Sequence, residues 1–110
     1  DDADRIIITR NMRTRKATMA RYADAFVALP GGFGTLEELF EILTERQLEI
    51  HTKPIVILNV HGFYDPLLAL FEHIYRERFA RRLDDLYDVA DAPAAIFAHL
   101  DRYQESAEIL

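Results

Sequence analysis

Cysteine is absent from this 110-residue chain, so neither a disulfide framework nor a thiolate metal site can hold it together. A reducing compartment is compatible with that absence, and a cytoplasmic location is expected. Positive charge is in deficit. Thirteen Lys and Arg stand against 19 Asp and Glu, for a net charge of −6. That balance argues against a surface built to coat nucleic acid. No apolar run approaches the roughly 18–20 residues of a membrane span. No signal peptide is visible, and a start at Asp1 rather than Met is compatible with a segment of a longer protein. The four histidines, His51, His61, His73 and His99, fall at no metal-ligand spacing, so no metal or cofactor is expected. Glycine is scarce too. There are four, and three of them crowd into one string.

What the chain does have is a regular alternation. Half of its residues are hydrophobic, and its length suits one domain over residues 1–110. Arg5 to Thr9 contains Ile6-Ile7-Ile8, a β-branched run that reads as a buried strand. Asn11 to Tyr22 has helical spacing. Asp24 to Leu29 and Pro54 to Val60 read as further buried strands. Thr35 to Ile50 reads as a helix, with Leu36, Leu39, Phe40, Leu43 and Leu48 as its apolar face. Asp65-Pro66 reads as N-cap plus first-turn proline, opening a helix to about Arg78. Tyr87 to Ala90 reads as a fourth strand, and Asp91-Ala92-Pro93 caps a last helix to about Tyr103. Apolar strands alternating with amphipathic helices predict an α/β fold, a Rossmann-like doubly wound parallel sheet with helices on both faces.

The glycines sit where such a sheet binds ligands. Leu29-Pro30-Gly31-Gly32-Phe33-Gly34-Thr35-Leu36-Glu37-Glu38 joins the end of a strand to the start of a helix. The unpaired N–H groups and the dipole of a helix N-terminus favour an anion there. Glycine permits φ > 0 and close approach of a phosphate to the backbone. Thr35 adds a hydroxyl. The string is neither a Walker A loop nor a full G-x-G-x-x-G, because no Lys-Ser/Thr follows and Glu37 holds the third position. Glu37 and Glu38 could compensate the helix dipole or serve a site, and the residues alone leave both readings open. Met12, Arg13, Arg15 and Lys16 follow the first strand and would reach the same end of the sheet. They could equally be a solvated helix face. Arg76, Arg78, Arg81 and Arg82 read as cations at a helix C-terminus.

Pro30-Gly31-Gly32-x-Gly34-Thr35-x-x-Glu38, preceded by Met12-x-x-Arg15-Lys16, resembles the LOG ("Lonely guy") family, first described as lysine decarboxylases. The similarity continues through Gln47-Leu48, Ile50-His51-x-Lys53-Pro54, Leu58-Asn59-Val60 and Gly62-Phe63-Tyr64. It spans nearly the whole chain but only the C-terminal part of the family domain. Members are cytokinin riboside 5′-monophosphate phosphoribohydrolases. They cleave the N-glycosidic bond of purine nucleoside 5′-monophosphates to free base and ribose 5-phosphate. The resemblance implies Arg15 and Glu38 as catalytic residues. It implies Met12, Arg15, Lys16, Gly31, Gly32, Phe33, Gly34, Thr35, Leu36, Glu37 and Thr44 as the substrate site. It further implies an AMP-like substrate and a homodimer, with no nucleic-acid or membrane partner.

Three positions depart from the family pattern. Arg13 replaces a His, Glu45-Arg46 replace Trp-Ala, and Glu49 replaces a Gly. They bear on substrate identity and turnover. The alternative function is a non-hydrolytic carrier of a nucleotide or molybdenum cofactor on the same scaffold. A pure binder would have no use for Glu38 beside a phosphate. Lysine decarboxylation fails on chemistry, since nothing marks Lys16 or Lys53 as a Schiff-base lysine.

Overall fold

A computed structural model describes residues 6–8, 25–100 and 107–110. The expected helix over Asn11–Tyr22 lies outside them. The described strands are β1 (Ile6–Ile8), β2 (Ala25–Ala28), β3 (Ile55–Leu58), β4 (Asp88–Ala90) and β5 (Ala107–Ile109). The helices are α1 (Phe33–Gln47), α2 (Asp65–Arg76) and α3 (Pro93–Leu100), with a 3-10 turn at Val60–Gly62. The strands form one sheet in the order β1-β5-β2-β3-β4, and every pairing is parallel.

Alternate residues of the central strands face opposite layers, as the period of two requires. Phe26 and Ala28 of β2 and Ile55 and Ile57 of β3 pack with Leu39, Ile42 and Leu43 of α1 and Phe71 of α2. On the other face, Ala25 and Val27 pack with Ile96 of α3. Val56, Leu58 and Ala90 pack with Ala95 and Ile96. Both faces are thus covered, and every residue of β2 and β3 is buried. Fully burying one such side chain stabilises the fold by roughly 1.5–3 kcal/mol.

The strand β5 has no counterpart in the sequence reading. It inserts between β1 and β2, with Ile109 in register with both Ile8 and Val27. The Leu110 N–H continues the ladder, donating to the Val27 carbonyl at 2.7 Å. Three residues with a charge in the middle carry no strand signal of their own. Pairing on both sides makes them a strand. The α2 start also differs from expectation. Tyr64, not Asp65, is the N-cap, and Asp65 and Pro66 lie in the first turn.

The C-terminus of α1 ends in a pair of crossed bonds. The Glu49 N–H donates to the Arg46 carbonyl at 3.2 Å and the Ile50 N–H to the Glu45 carbonyl at 2.9 Å. This is a Schellman ending, whose turning residue adopts left-handed backbone. Glu49 does so with φ 63. It stands where the resembling family has glycine. One other departure in this stretch, Arg46, is engaged nearby, as is Gln47, which keeps the family residue. The Arg46 guanidinium pairs with Asp85 at 3.0 Å, and the Gln47 amide beside it donates to the Arg81 carbonyl at 3.2 Å. Arg78 repeats the geometry after α2, with φ 64 and with N–H bonds from Arg78 to Tyr75 and from Phe79 to Ile74.

His51 then ties the end of α1 to the entry of β3. Its Nε2 lies 3.1 Å from the Ile42 carbonyl, and its Nδ1 accepts the Lys53 N–H at 3.0 Å. A carbonyl only accepts, so Nε2 carries the hydrogen. Both bonds require the neutral ring, because a protonated Nδ1 cannot accept. Burial lowers its pKa, against smaller opposing effects of the Ile42 bond and Glu45.

Both the turn at Glu49 and the ring of His51 can be tested by substitution. Glu49→Gly removes the cost of a side chain in left-handed backbone and should stabilise the chain by about 1 kcal/mol in urea unfolding. A lower urea midpoint would contradict that assignment of strain. The folded pKa of His51 lies below its unfolded value of about 6.5. The unfolded chain therefore takes up the proton first as pH falls. This contribution is full above about pH 6.5, declines below it and is gone once pH passes the folded pKa. Thermal melts from pH 7.5 to 5 should show a shallower loss in His51→Gln than in the unaltered protein, and equal slopes would refute the neutral-ring assignment.

Candidate functional site

The carboxyl end of β2 runs straight into the glycine string. Leu29 and Pro30 leave the sheet, Gly32 is the N-cap of α1 in extended backbone (φ −98, ψ −154), and the helix begins at Phe33. The helix therefore opens two residues before the expected Thr35, and Gly34 lies in its first turn rather than in the loop. Among the described glycines only Gly62 has positive φ. The use made of Gly31 and Gly32 is absence of bulk, not left-handed backbone.

That absence differs between the two. A Cβ on Gly31 would lie 3.0 Å from Thr35 Cβ and collide with its hydroxyl. Gly31 thus lets the Thr35 side chain fold back over the turn. A Cβ on Gly32 would meet nothing within 4 Å. The space above Gly32 is open and faces a helix start with no side-chain cap. The first helical bond, from the Leu36 N–H to the Gly32 carbonyl, is 3.2 Å. The N–H groups of the first helical turn have no carbonyl before them in the helix to bond, and the helix dipole adds partial positive charge. This is the geometry that accepts a phosphate or carboxylate.

The remaining residues of the string divide by exposure. Phe33 is 90% exposed at the mouth. Leu36 packs against the core from partial burial. Glu37 faces solvent. Glu38 is 1% exposed, on the core-facing side of α1 with Ile42 one turn on. A carboxylate serving only to balance the helix dipole gains nothing from burial, which is costly for a charge. The two adjacent glutamates thus differ in burial, Glu38 buried and Glu37 exposed. Thr44 is exposed and lines a groove of about 220 Å³ between α1 and α2, with Phe40, Leu43, Gln47, Phe71 and Tyr75. Nine residues separate it from Thr35, about 13 Å along the helix. Within one chain it is not brought to the glycine turn. Met12, Arg13, Arg15 and Lys16 lie outside the described residues.

One residue at this end of the sheet gave no functional signal in the sequence. Tyr64, 2% exposed, donates its hydroxyl to the Leu29 carbonyl at 2.6 Å. Burial raises its pKa, so the hydroxyl stays protonated as a donor. Its own N–H donates to Asn59 Oδ1 at 2.7 Å, and Asn59 Nδ2 donates to Asp65 Oδ1 at 2.8 Å. Gly62, with φ 70, clears room for that Asp65 carboxylate. The turn after β3 is thus bound to the turn after β2. Among the described residues, no group of three or more His, Asp or Glu is placed to hold a metal, and no helix is long and apolar enough to cross a membrane.

Comparison with known proteins places the chain among relatives. A family model described as "possible lysine decarboxylase" matches residues 1–100. A probable cytokinin riboside 5′-monophosphate phosphoribohydrolase of Oryza sativa subsp. japonica is 48% identical over 101 residues, 90% of this chain and 45% of its own length. The rice cytokinin riboside 5′-monophosphate phosphoribohydrolase LOG is 48% identical over 104 residues, 89% of this chain and 41% of its own. A protein of the same description from Arabidopsis thaliana is 54% identical over 82 residues, 71% of this chain and 38% of its own. The chain spans less than half the length of these relatives.

Proposed function

The chain belongs to the family described as "possible lysine decarboxylase", and from that premise we propose that it is the C-terminal part of a phosphoribohydrolase domain. The reaction is hydrolysis of the N-glycosidic bond of purine or cytokinin nucleoside 5′-monophosphates. Water adds at C1′, the C1′–N bond breaks, and the base leaves with a proton while ribose 5-phosphate is freed. The observation that carries this reading is a buried carboxylate, Glu38, in the second turn of a helix whose start is open, uncapped and glycine-lined.

Each part has a chemical task. The 5′-phosphate is taken by the N-terminus of α1, at Gly31, Gly32 and the first-turn N–H groups. Thr35 adds its hydroxyl. Glu38 stabilises the oxocarbenium-like charge that builds at C1′ and orients the attacking water, a role that gains strength away from bulk solvent. Arg15 and Lys16 supply positive charge to phosphate or to the departing base, Arg15 by its fork. Met12, Phe33, Leu36 and Glu37 complete the proposed nucleotide site; Thr44, about 13 Å along α1 from Thr35, is not part of it within one chain. No metal or cofactor enters the scheme, and the compartment proposed is the cytoplasm.

Glu38→Gln removes the charge and keeps the shape. In the full-length protein, AMP binding should survive within a few-fold while adenine release, followed by chromatography, falls at least 100-fold. Unchanged release would take Glu38 out of the mechanism. Binding of AMP by the unaltered protein without release would instead favour a nucleotide carrier.

We also read the working form as a homodimer. The support is apolar surface at one end of the molecule. Phe40 (41% exposed) borders the α1–α2 groove, and Leu48 (67%), Ile50 (66%) and Phe79 (86%) adjoin it in sequence. Light scattering behind size exclusion should return twice the chain mass, and a monomer at micromolar concentration would end this reading.

A further inference from the structure

We propose that Tyr64 is a positioning residue for the glycine turn, acting through the carbonyl of Leu29. It rests on the reading that this turn holds the substrate phosphate. The bond is short, at 2.6 Å, and reaches across 35 positions of sequence from the start of α2 to the last residue before Pro30. Its placement matters because the next three residues are poor anchors. Pro30 has no N–H to fix the turn, and Gly31 and Gly32 carry no side chain to pack. The tilt of the Leu29–Pro30 peptide plane therefore sets where Gly31, Gly32 and the open helix start point. A hydrogen bond to the Leu29 oxygen fixes that tilt directly.

Tyr64 is itself held at several points. Its ring is buried and meets the Phe63 ring edge-on at 4.8 Å between centroids. Its N–H is held by Asn59, which is held in turn by Asp65. The Asn59 N–H donates to the Ala90 carbonyl at 2.7 Å. The anchor thus runs from β4 through the β3 end to the glycine turn. Packing alone would be met by Phe, which fills the same space. Only the hydroxyl reaches Leu29.

Tyr64→Phe isolates that hydroxyl. The readout is affinity for AMP against affinity for adenosine, by calorimetry on the full chain. AMP affinity should fall at least tenfold, adenosine affinity should hold within twofold, and KM for AMP should rise more than kcat falls. The comparison variant is Ile96→Val, on the opposite face of the sheet, which should lower the melting temperature without changing the AMP-to-adenosine ratio. If Tyr64→Phe likewise only lowers the melting temperature, Tyr64 is structural and the proposal is overturned. A second measurement does not depend on the nucleotide. The ¹⁵N order parameters of Gly31 and Gly32 should fall below about 0.6 in Tyr64→Phe, and unchanged values would overturn the proposal. Failure of the unaltered protein to bind AMP would remove the phosphate reading, while the order parameters would still decide what Tyr64 does.

Discussion

Two adjacent parallel strands, β2 and β3, carry no polar side chain on either face, so neither face can be left to water. Both must be roofed, and the crossovers that a parallel sheet requires supply the roofs. α1 and α2 cover one side through Phe26, Ala28, Ile55 and Ile57. α3 covers the other through Ala25, Val27, Val56 and Leu58. Burial of the strands dictates that their ends emerge together at one rim. There the backbone leaves the ladder and its polar groups need new partners. The glycine turn after β2 and the Asn59–Tyr64 turn after β3 are two answers to that need, and the Tyr64 hydroxyl joins them.

Glu38 is the point where packing and the proposed chemistry diverge. On α1 it occupies a core-facing position in a row otherwise filled by Leu39, Ile42 and Leu43. A leucine there would extend the apolar face, and with the helix starting at Phe33 no acidic residue stands in its first turn, where the dipole is felt most. Burial of a carboxylate carries a desolvation cost that an apolar side chain at the same position would not. Its place near an anion-accepting helix start suits the role proposed for it. The proposed substrate, with phosphate at one end and a nascent cation at the other, would set its phosphate at the turn and its C1′ toward the second turn of the helix.

Much of this was legible in the residues. β2, β3 and both long helices fall close to the ranges that periodicity marked, because each buries a continuous or striped apolar face. The misses have separate causes. Propensity kept Gly34 out of α1, yet helix N-termini tolerate glycine, and α1 starts two residues earlier. The strand β5 is built from Ala107, Glu108 and Ile109, which have no pattern of their own. Only neighbours on both sides, β1 and β2, turn them into a strand. Tyr64 entered the sequence reading only as part of the Gly62-Phe63-Tyr64 string, and its ring is buried. The bond to Leu29 spans 35 residues and leaves no trace in local sequence.

Departures from a family pattern are easily read as changes of function, but at the end of α1 they have a structural use. Glu49 sits in left-handed backbone and completes the same crossed bonds a glycine would. Arg46 finds Asp85, and beside it Gln47, which keeps the family residue, finds the Arg81 carbonyl. Both partners lie in the segment between α2 and β4, so these two residues brace that segment against α1. The nearer of them to the glycine turn is Arg46, 11 residues beyond Thr35 and so about 16 Å along the helix. At that remove they act on how α1 is seated, not on what the turn can hold. On the proposed function, the rim itself offers a place where substrate choice would be exercised, since Phe33 stands exposed at the mouth and Gly32 leaves the approach clear.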